Sequence, residues 1–578
     1  MTRSQADGRS ELRDARRLGR GLFWAAGLFS CFVNLLMLTG PLYMMQVYDR
    51  VLNSGSVETL VALTLLAAFL YAIMAALDFA RSRLMARAGA RFQAALDERV
   101  FRAMIRRSAV ARDPAAETGR ADLESIQKLI GSPLASAAFD LPWTPVFLFG
   151  IALFHPWLGT LAISGGLLLV VVALLNQLLT SRPRREAAVA AHGEALLAEE
   201  IRTEAGMIQS MGMLGAAFSR WVVARDAALA SGVNATEKGS GFSALTKALR
   251  MFLQSAMLGL GALLALKGEL SPGAMIAGSI LLGRALAPIE VGLGQWSLAQ
   301  RARRGWVSLA DLLTRVPPEA EPMPLPRPDA RLEVEGLALR VPGVNRSLLR
   351  GVSLSVAGGQ AVGVIGPSGA GKSTLALALT GAVVPAAGTV RLGGPTLGQY
   401  GPDALGQHVG YLPQRVRLFD GTIGQNIARL EIGPDPEKIV AAAKLAAAHE
   451  LIVNLPDGYD TAVGPDGAGL SGGQLQRIAL ARALYGDPVV VILDEPNSNL
   501  DSEGNNALNA AIRSLKEAGR IVILMAHRPA AIRECDLLLF LENGAQVAFG
   551  PRDEILQKFT GGQAAQATPR AVKGGKPT

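Results

Sequence analysis

The sequence is poor in cysteine, aromatic residues and charge, and each shortage argues against a class of protein. Its two cysteines, Cys31 and Cys535, lie in opposite halves of the 578-residue chain. The chain therefore carries neither a disulfide framework nor a cysteine-rich metal cluster. Its net charge of +9 could indicate nucleic-acid binding, but aromatic residues make up only 5% of the chain and do not interleave with a basic face. We therefore expect no nucleic-acid partner.

Charged residues make up only 18% of the chain, and their distribution divides it into two parts. The first three hundred residues contain long uncharged runs, whereas the remainder has the composition of a soluble α/β domain. About 20 apolar residues in a helix cross the hydrocarbon core of a bilayer. Six such helices are predicted from the uncharged runs 21–48, 59–77, 141–181 (divided at His155-Pro156) and 251–266, and from the run 270–289, in which Arg284 is the one charged residue. The first run lacks a cleavage site of small residues, so we interpret it as a retained span.

Basic residues flank these runs. Arginines precede the first run and follow the second and the fourth, namely Arg13, Arg16, Arg17, Arg20, Arg81, Arg83, Arg87, Arg182, Arg184 and Arg185. The positive-inside rule places them in the cytoplasm, with residues 1–20 as a basic cytoplasmic N-terminus. The connections 79–135 and 182–245 are rich in helix-forming residues and predict helices that continue below the membrane. We expect elements near 122–130 and 204–213 to contact the second domain.

Arg284 interrupts the sixth run, and a charge there is costly unless it faces water or a partner. Two interpretations stay open for it: a structural ion pair with Glu290 or Asp140, and a position that lines a transport path. Asn34 is a polar residue within the first run, and we interpret it as a contact between helices rather than a substrate ligand.

Proline-rich residues mark the boundary between the two parts. The segment 315–330 predicts a linker between a transmembrane domain, residues 21–314, and a nucleotide-binding domain, residues 331–560. Residues 561–578 are rich in Gly, Ala, Lys and Pro and predict a disordered tail. The predicted fold is an all-α domain of six transmembrane helices followed by an α/β P-loop ATPase domain.

A strand, a glycine-rich loop and a helix follow one another from residue 361, which is the context that a phosphate-binding loop requires. Glycines let backbone amides approach phosphates, and the helix start favours their negative charge. In this loop Lys372 is expected to reach the β- and γ-phosphates of ATP and to serve catalysis, and Ser373 to bind Mg²⁺. The predicted loop consists of Gly366, Pro367, Ser368, Gly369, Ala370, Gly371, Lys372, Ser373 and Thr374.

Another apolar strand ends in two adjacent carboxylates, Asp494 and Glu495. We expect Asp494 to bind Mg²⁺ and Glu495 to act as the general base that polarises the attacking water. Gln414 offers a neutral oxygen to Mg²⁺ or water. His527 follows a further apolar strand and is the expected hydrogen-bond partner of the γ-phosphate, whereas the other four histidines are interpreted as structural.

A second motif for phosphate binding precedes another helical run. It consists of Ser471, Gly472, Gly473 and Gln474. A serine and two glycines at a helix start favour phosphate, but one chain holds no spare nucleotide for them. We expect this motif to close on ATP held by a second copy, with residues 498–501 at the seam, so the chain is predicted to act as a homodimer.

Together, these motifs identify the chain as resembling the exporter type of ATP-binding cassette (ABC) transporter. Five further segments resemble the type I secretion permease/ATPase family, namely 41–52 (PLYMMQVYDRVL), 139–145 (FDLPWTP), 207–213 (MIQSMGM), 270–277 (LSPGAMIA) and 283–288 (GRALAP). The resemblance implies a homodimer in the bacterial inner membrane, in contact with membrane lipid. It also implies a periplasmic adaptor protein, an outer-membrane channel and a secreted protein substrate that crosses unfolded.

The sequence departs from the pattern of relatives at two points. Many relatives stack adenine on an aromatic residue before the phosphate loop, but residues 331–365 contain none, and Val341 stands near the expected place. Only about twenty residues precede the first span, so we expect no N-terminal peptidase domain and no leader cleavage.

Three other functions compete with polypeptide secretion. An exporter of lipid or small hydrophobic molecules uses the same ATPase, and the five segments above favour secretion over it. A soluble ABC ATPase acting on DNA or ribosomes is disfavoured by the six apolar spans. An importer is disfavoured because the permease and the ATPase are fused.

Overall fold

The computed structural model describes residues 7–109, 113–318, 324–340, 347–464, 467, 469–498, 500–526 and 532–564. The chain divides into two compact units. One consists of Met1–Arg102 and Thr118–Arg315, and the other of Ala103–Glu117 and Val316–Thr578. Each unit has its own architecture, the first helical and the second α/β.

The first part of the chain is helical in all its described elements. The helices are α1 (Gly8–Arg17), α2 (Arg20–Leu36), α3 (Thr39–Gln46), α4 (Leu52–Ser54), α5 (Val57–Ala94), α6 (Asp97–Ser108), α7 (Pro114–Ile130), α8 (Pro133–Asp140), α9 (Thr144–Phe154), α10 (Pro156–Thr203), α11 (Ala205–Ser210), α12 (Leu214–Leu266), α13 (Pro272–Gly294) and α14 (Trp296–Arg315). A π-helical turn, Val47–Val51, joins α3 to α4, and a 3-10 turn, Leu141–Trp143, joins α8 to α9.

Six helical segments among the described residues are long and apolar enough to span a membrane. They are Arg20–Ser54, Val57–Ser108, Pro133–Phe154, Pro156–Thr203, Leu214–Leu266 and Pro272–Gly294. The helices α10 and α12 contain 48 and 53 residues. At about 1.5 Å per residue each is more than twice as long as a bilayer core is thick, so both continue beyond it.

The predicted contact element near 122–130 is part of a long helix. Residues 122–130 lie inside the continuous helix α7, in the first unit, and the segment Ala103–Glu117 belongs to the second unit. The contact of residues 122–130 with the second domain stays a prediction. The helix boundary lies at Asp113, whose Oδ1 accepts a hydrogen bond from the Ala115 amide at 3.0 Å. Asp followed by Pro is a helix-start signal that the prediction overlooked. The other predicted element, near 204–213, contains the short helix α11 between α10 and α12.

The basic N-terminus forms a packed helix. Leu12 of α1 is fully buried, and the Gly8 amide donates a hydrogen bond to Thr314 Oγ1 of α14 at 2.9 Å. A β-carbon on Gly8 would collide with the Ala310 carbonyl oxygen of α14. Arg99 of α6 bonds Glu11 at 3.0 Å. The positive charge of this segment obscured its apolar face at the sequence level.

Carboxylates in the spans pair with arginines other than Arg284. Asp140 accepts hydrogen bonds from Arg81 Nη1 at 2.8 Å and from Asn34 at 2.7 Å, so the predicted contact between helices at Asn34 is present. Glu290 pairs with Arg250 at 3.0 Å. Arg284 is exposed and makes no ion pair with a described residue, so of its two interpretations the ion pair with Glu290 or Asp140 is wrong.

The second unit is built on a nine-stranded sheet with the order β4-β1-β2-β11-β10-β3-β9-β8-β5, and β6 pairs separately with β7. The strands are β1 (Arg331–Arg340), β2 (Ser347–Ala357), β3 (Ala361–Ile365), β4 (Ala387–Leu392), β5 (Val409–Leu412), β6 (Gly421–Thr422), β7 (Ala462–Val463), β8 (Val490–Asp494), β9 (Ile521–Met525), β10 (Leu537–Glu542) and β11 (Ala545–Pro551). The strands β10, β3, β9, β8 and β5 run parallel to their neighbours in that order.

Nine helices among the described residues complete this unit. They are α15 (Lys372–Leu379), α16 (Leu397–Tyr400), α17 (Pro402–His408), α18 (Ile423–Ile427), α19 (Pro436–Leu445), α20 (His449–Val453), α21 (Gly472–Leu484), α22 (Ser502–Glu517) and α23 (Arg552–Ala564). The predicted tail begins within α23 and lies outside the described residues from position 565. The predicted fold class, a six-helix transmembrane domain followed by an α/β ATPase domain, is confirmed.

Candidate nucleotide-binding site

Four parallel strands bring most of the predicted site residues to one edge of the sheet. Val364 of β3 and Asp494 of β8 both lie opposite Met525 of β9, and Leu412 of β5 lies opposite Leu493. Because parallel strands share their carboxyl edge, the segments that follow β3, β8 and β5 emerge side by side. These segments hold the phosphate loop, the carboxylate pair and Gln414.

The glycines of the loop 366–374 are required by its backbone. Gly366, Gly369 and Gly371 have φ angles of +155°, +77° and +99°, which side chains rarely tolerate. A β-carbon on Gly366 would collide with the carbonyl oxygen of Leu541, and one on Gly371 would lie 2.9 Å from a methyl group of Leu349. The path of the loop between β3 and α15 therefore requires glycine at these three positions.

Lys372 folds over this loop. Its Nζ donates hydrogen bonds to the carbonyl oxygens of Gly366 at 2.9 Å and Pro367 at 3.0 Å. Burial lowers the pKa of the Lys372 ammonium, while the carboxylates of Glu495 and Asp494 act to raise it. The cation thus lies inside the loop and within electrostatic reach of both carboxylates.

The two carboxylates differ in exposure and in backbone geometry. Asp494 is almost fully buried at the end of β8, and its charge adds to burial in raising the pKa of Tyr411 to about 12. Glu495 is half-buried and has φ = +50°, a left-handed conformation that costs a residue with a side chain roughly 1–3 kcal/mol. Its amide donates to the Met525 carbonyl at 3.1 Å. Such strain persists where the surrounding structure enforces it, and it is concentrated at functional sites.

The oxygen donors at this edge suit a divalent cation. Ser373 is exposed in the first turn of α15, and Gln414 is exposed two residues beyond β5. A hydroxyl, an amide oxygen and the Asp494 carboxylate are hard oxygen ligands of the kind that Mg²⁺ prefers. The donor set therefore fits Mg²⁺. His527 and Val341 lie outside the described residues.

The second predicted phosphate motif is a helix cap. Ser471 Oγ accepts a hydrogen bond from the Gln474 amide at 3.3 Å, and Gln474 Oε1 accepts one from the Ser471 amide at 2.8 Å. This reciprocal pair is a capping box at the start of α21. The Gln474 side chain is thereby engaged within the motif, whereas Ser471 and Gly472 are exposed.

Two contacts near these motifs escaped the sequence analysis. Gln476 is buried in α21, and its Nε2 donates a hydrogen bond at 3.1 Å to the carbonyl oxygen of Pro496, the residue after Glu495. Asp501 caps α22 by accepting from the Gly504 amide at 2.7 Å and lies 3.8 Å from Arg477. In the sequence, the polar Gln476 among the apolar residues of α21 was the feature that could have predicted its contact with Pro496.

Comparisons with known proteins agree with this geometry. Residues 349–498 match the family model "ABC transporter", and residues 23–286 match "ABC transporter transmembrane region". The chain is 44% identical to the type I secretion system ATP-binding protein PrsD of Rhizobium meliloti (strain 1021), over 95% of this chain and 94% of that one. It is 30% identical to the leukotoxin translocation ATP-binding protein LktB of Mannheimia glucosida, over 94% of this chain and 77% of that one.

A solved structure supports the fold. It is a bacterial Atm1-family ABC exporter with ATP bound, with a TM-score of 0.77, 23% identity and coverage of 96% of this chain and 99% of that one. One assignment follows from the sheet edge, the two family models and the PrsD relative, which matches this chain over nearly its whole length. The chain belongs to the ABC transporter family and, within it, to the type I secretion system ATP-binding proteins.

Proposed function

We propose that the chain exports an unfolded polypeptide across the bacterial inner membrane as the permease and ATPase of a type I secretion system. The ATPase domain lies in the cytoplasm, and an adaptor protein and an outer-membrane channel complete the route. The observation that carries the proposal is the 44% identity to a type I secretion ATP-binding protein across both domains. The six apolar spans and the nucleotide-binding edge supply the two parts that such a machine needs.

Each residue at the sheet edge has a role in hydrolysis. The loop Gly366 to Thr374 cradles the phosphates of ATP, and Lys372 exchanges its carbonyl partners for phosphate oxygens. Glu495 polarises water as a general base, and His527 assists at the γ-phosphate. Ser373, Gln414 and Asp494 would hold Mg²⁺, which neutralises phosphate charge when bound.

The second phosphate motif implies a dimer. Ser471 and Gly472 are exposed at the start of α21, although a helix start is a favourable anion site. We infer that Ser471, Gly472 and Gly473 contact ATP bound to a second copy of the chain, while Gln474 shapes the motif through its capping contacts. Two such sites form in a homodimer.

Deletion of the gene tests the proposed cargo. Proteins in the culture medium are compared between the deletion strain and strains complemented with the natural chain, with Glu495→Gln, or with Glu517→Gln. Glu517 is exposed at the end of α22 and serves as the matched control. At least one extracellular protein should disappear on deletion, return with the natural chain and the control, and stay absent with Glu495→Gln. If the extracellular proteins are unchanged while a lipid or small molecule is retained in the cells, the chain exports that molecule instead.

A further inference from the structure

Two of the segments that resemble the type I secretion family meet on the outer side of the first unit, opposite the arginines assigned to the cytoplasm. Asp49 of the segment 41–52 lies in the π-helical turn near the end of the first span. Its Oδ2 accepts a hydrogen bond from the Ser271 hydroxyl at 2.7 Å, and its Oδ1 accepts one from the Gly273 amide at 2.8 Å. The contact joins the first span to the start of the sixth, α13, and ATP hydrolysis does not account for it.

The start of α13 is built to receive this carboxylate. A β-carbon on Gly273 would lie 2.5 Å from Asp49 Oδ2, so a side chain at this position would push the carboxylate away. Ser271 caps the helix, because its Oγ also accepts a hydrogen bond from the Ala274 amide at 3.1 Å. The helix dipole favours a negative charge at this end. Charge, hydrogen bonds and the absence of a side chain at Gly273 therefore all act to hold Asp49 here.

The turn that precedes α13 is also held from another side. His155, in the turn between α9 and α10, places Nε2 3.3 Å from Glu269 Oε2. Its Nδ1 accepts a hydrogen bond from the Trp157 amide at 3.2 Å, so Nε2 carries the hydrogen of the neutral ring. The turn 267–271 thus contacts both of the other outer turns, one at Asp49 and one at His155. Because each turn joins two spans, polar contacts within one chain connect the outer ends of all six.

The contact at Asp49 can be broken at low cost. Asp49 and Ser271 are half-buried, so water can replace their hydrogen bonds when the two sides part. The π-helical turn that carries Asp49 is of a rare type that is frequent at functional sites. A contact with these properties holds two spans together and still permits their separation.

We propose that Asp49 is a latch, which holds the first span against α13 on the outer side and releases when ATP binding opens this side for cargo. The inference rests on the proposed export function, since a polypeptide that leaves the transmembrane domain requires the outer ends of spans to separate. The competing interpretation is a permanent cap of α13, in which the same contact persists with and without nucleotide. The two interpretations differ in a contact that can be measured without any cargo.

Crosslinking measures whether the contact opens. A β-carbon on Gly273 would lie 2.7 Å from Asp49 Cγ, so Asp49→Cys with Gly273→Cys places two cysteines within disulfide reach. This latch pair is made in the purified full chain with Glu495→Gln, Cys31→Ser and Cys535→Ala. Disulfide formation in a mild oxidant is followed by mass spectrometry, with and without ATP.

The matched control is Ser56→Cys with Thr59→Cys in the same background. It replaces two hydroxyl groups whose oxygens lie 2.9 Å apart at the start of α5. This control pair lies within one helix start and ties no two spans together. Nucleotide retained by each sample confirms that both pairs hold ATP.

The latch pair should crosslink readily without nucleotide and about tenfold more slowly with ATP, because the disulfide forms only while the contact is closed. The control pair should crosslink at one rate in both conditions. Equal rates for the latch pair with ATP bound would identify a permanent cap and overturn the proposal. That outcome leaves the cargo assignment untouched, whereas an opening latch with unchanged extracellular proteins would count against the cargo alone.

A second measurement covers the case in which the latch pair does not fold. Ser271→Cys alone reports on the latch, since Asp49 contacts this side chain, and a water-soluble maleimide should label it faster with ATP. Without nucleotide, the addition of Asp49→Asn should speed labelling about twofold to fivefold, the usual effect of one charge at a helix start. The control Glu58→Gln removes an exposed charge from the start of α5 and should leave the labelling rate unchanged. A labelling rate that responds neither to ATP nor to Asp49→Asn would contradict the latch.

Discussion

Two helices of the ATPase domain start at phosphate-type motifs, yet the two starts are built differently. The loop before α15 has three glycines with positive φ and a lysine that folds over its carbonyls. The start of α21 has a serine cap, helical glycines and no lysine in residues 470–474. The first motif therefore combines glycines and a lysine in one loop, whereas the second is an exposed helix start without a cation of its own. This difference is why we propose that the second motif acts on ATP bound to another copy of the chain.

The largest effect is expected at Glu495, beside the α15 cradle. Glu495→Gln should leave ATP binding intact and reduce turnover by about 10²–10⁴-fold, the usual contribution of a positioned base. The matched control, Glu517→Gln, should hydrolyse ATP at the natural rate. Turnover is measured by phosphate release at saturating ATP, and near-normal release from Glu495→Gln would remove Glu495 from its assigned role.

Glycine substitutions at the two motifs should affect ATP binding and turnover differently. Gly366→Ala places a methyl group against the Leu541 carbonyl at φ = +155°, so we expect ATP binding to be lost and strain of roughly 1–3 kcal/mol to appear. Gly472→Ala lies in helical geometry, where alanine is favoured, so ATP binding to one chain should be unchanged and only turnover should fall. Binding is measured with a fluorescent ATP analogue. An equal loss of binding in both variants would show that both motifs bind ATP within a single chain.

Substitution of the buried Gln476 is expected to reduce turnover less than the changes above. Gln476→Leu leaves the Pro496 carbonyl without its partner, and an unsatisfied buried group costs about 1–3 kcal/mol. Because Pro496 follows Glu495, turnover should fall along with the melting temperature. Gln407 is exposed on α17 and provides the control Gln407→Leu. A melting temperature for Gln476→Leu equal to that of the control would show that this contact does not stabilise the domain.

Base selectivity should be the weakest effect. An aromatic stack on adenine contributes about 1–3 kcal/mol, and residues 331–365 offer no aromatic side chain for it. Affinities for ATP and GTP should therefore differ by less than about tenfold. Competition binding measures the ratio. A strong preference for ATP that is lost on mutation of a distant aromatic residue would locate the stack elsewhere.

The parts that could be predicted from the sequence depend on local chemistry. The loop around Gly366 is recognisable because its positive φ angles require glycine, whatever the rest of the chain packs against. The long uncharged runs likewise predict spans, since crossing a bilayer constrains each helix by itself. The same holds for the strands β3 and β8, whose apolar runs end directly at site residues.

The parts that escaped prediction depend on contacts between distant residues. Asp140 pairs with Arg81, which is 59 positions away, and nothing local distinguishes that partner from Arg284. Gln476 meets Pro496 only because α21 packs beside the end of β8. The packed face of α1 could not be predicted either, because its partner helix α14 lies about 300 residues further along the chain.

The most direct test concerns the inferred contact between Ser471 of one chain and the phosphate loop of another. Chains in the Glu495→Gln background, with Cys31→Ser and Cys535→Ala, are prepared separately with Ser471→Cys or Ser368→Cys, so that a disulfide between the two engineered positions must join two chains. On mixing with ATP and a mild oxidant, we expect a crosslinked dimer that is absent without nucleotide and absent when either chain is oxidised alone. A chain that carries both substitutions and closes its disulfide internally, as a monomer, would contradict the account.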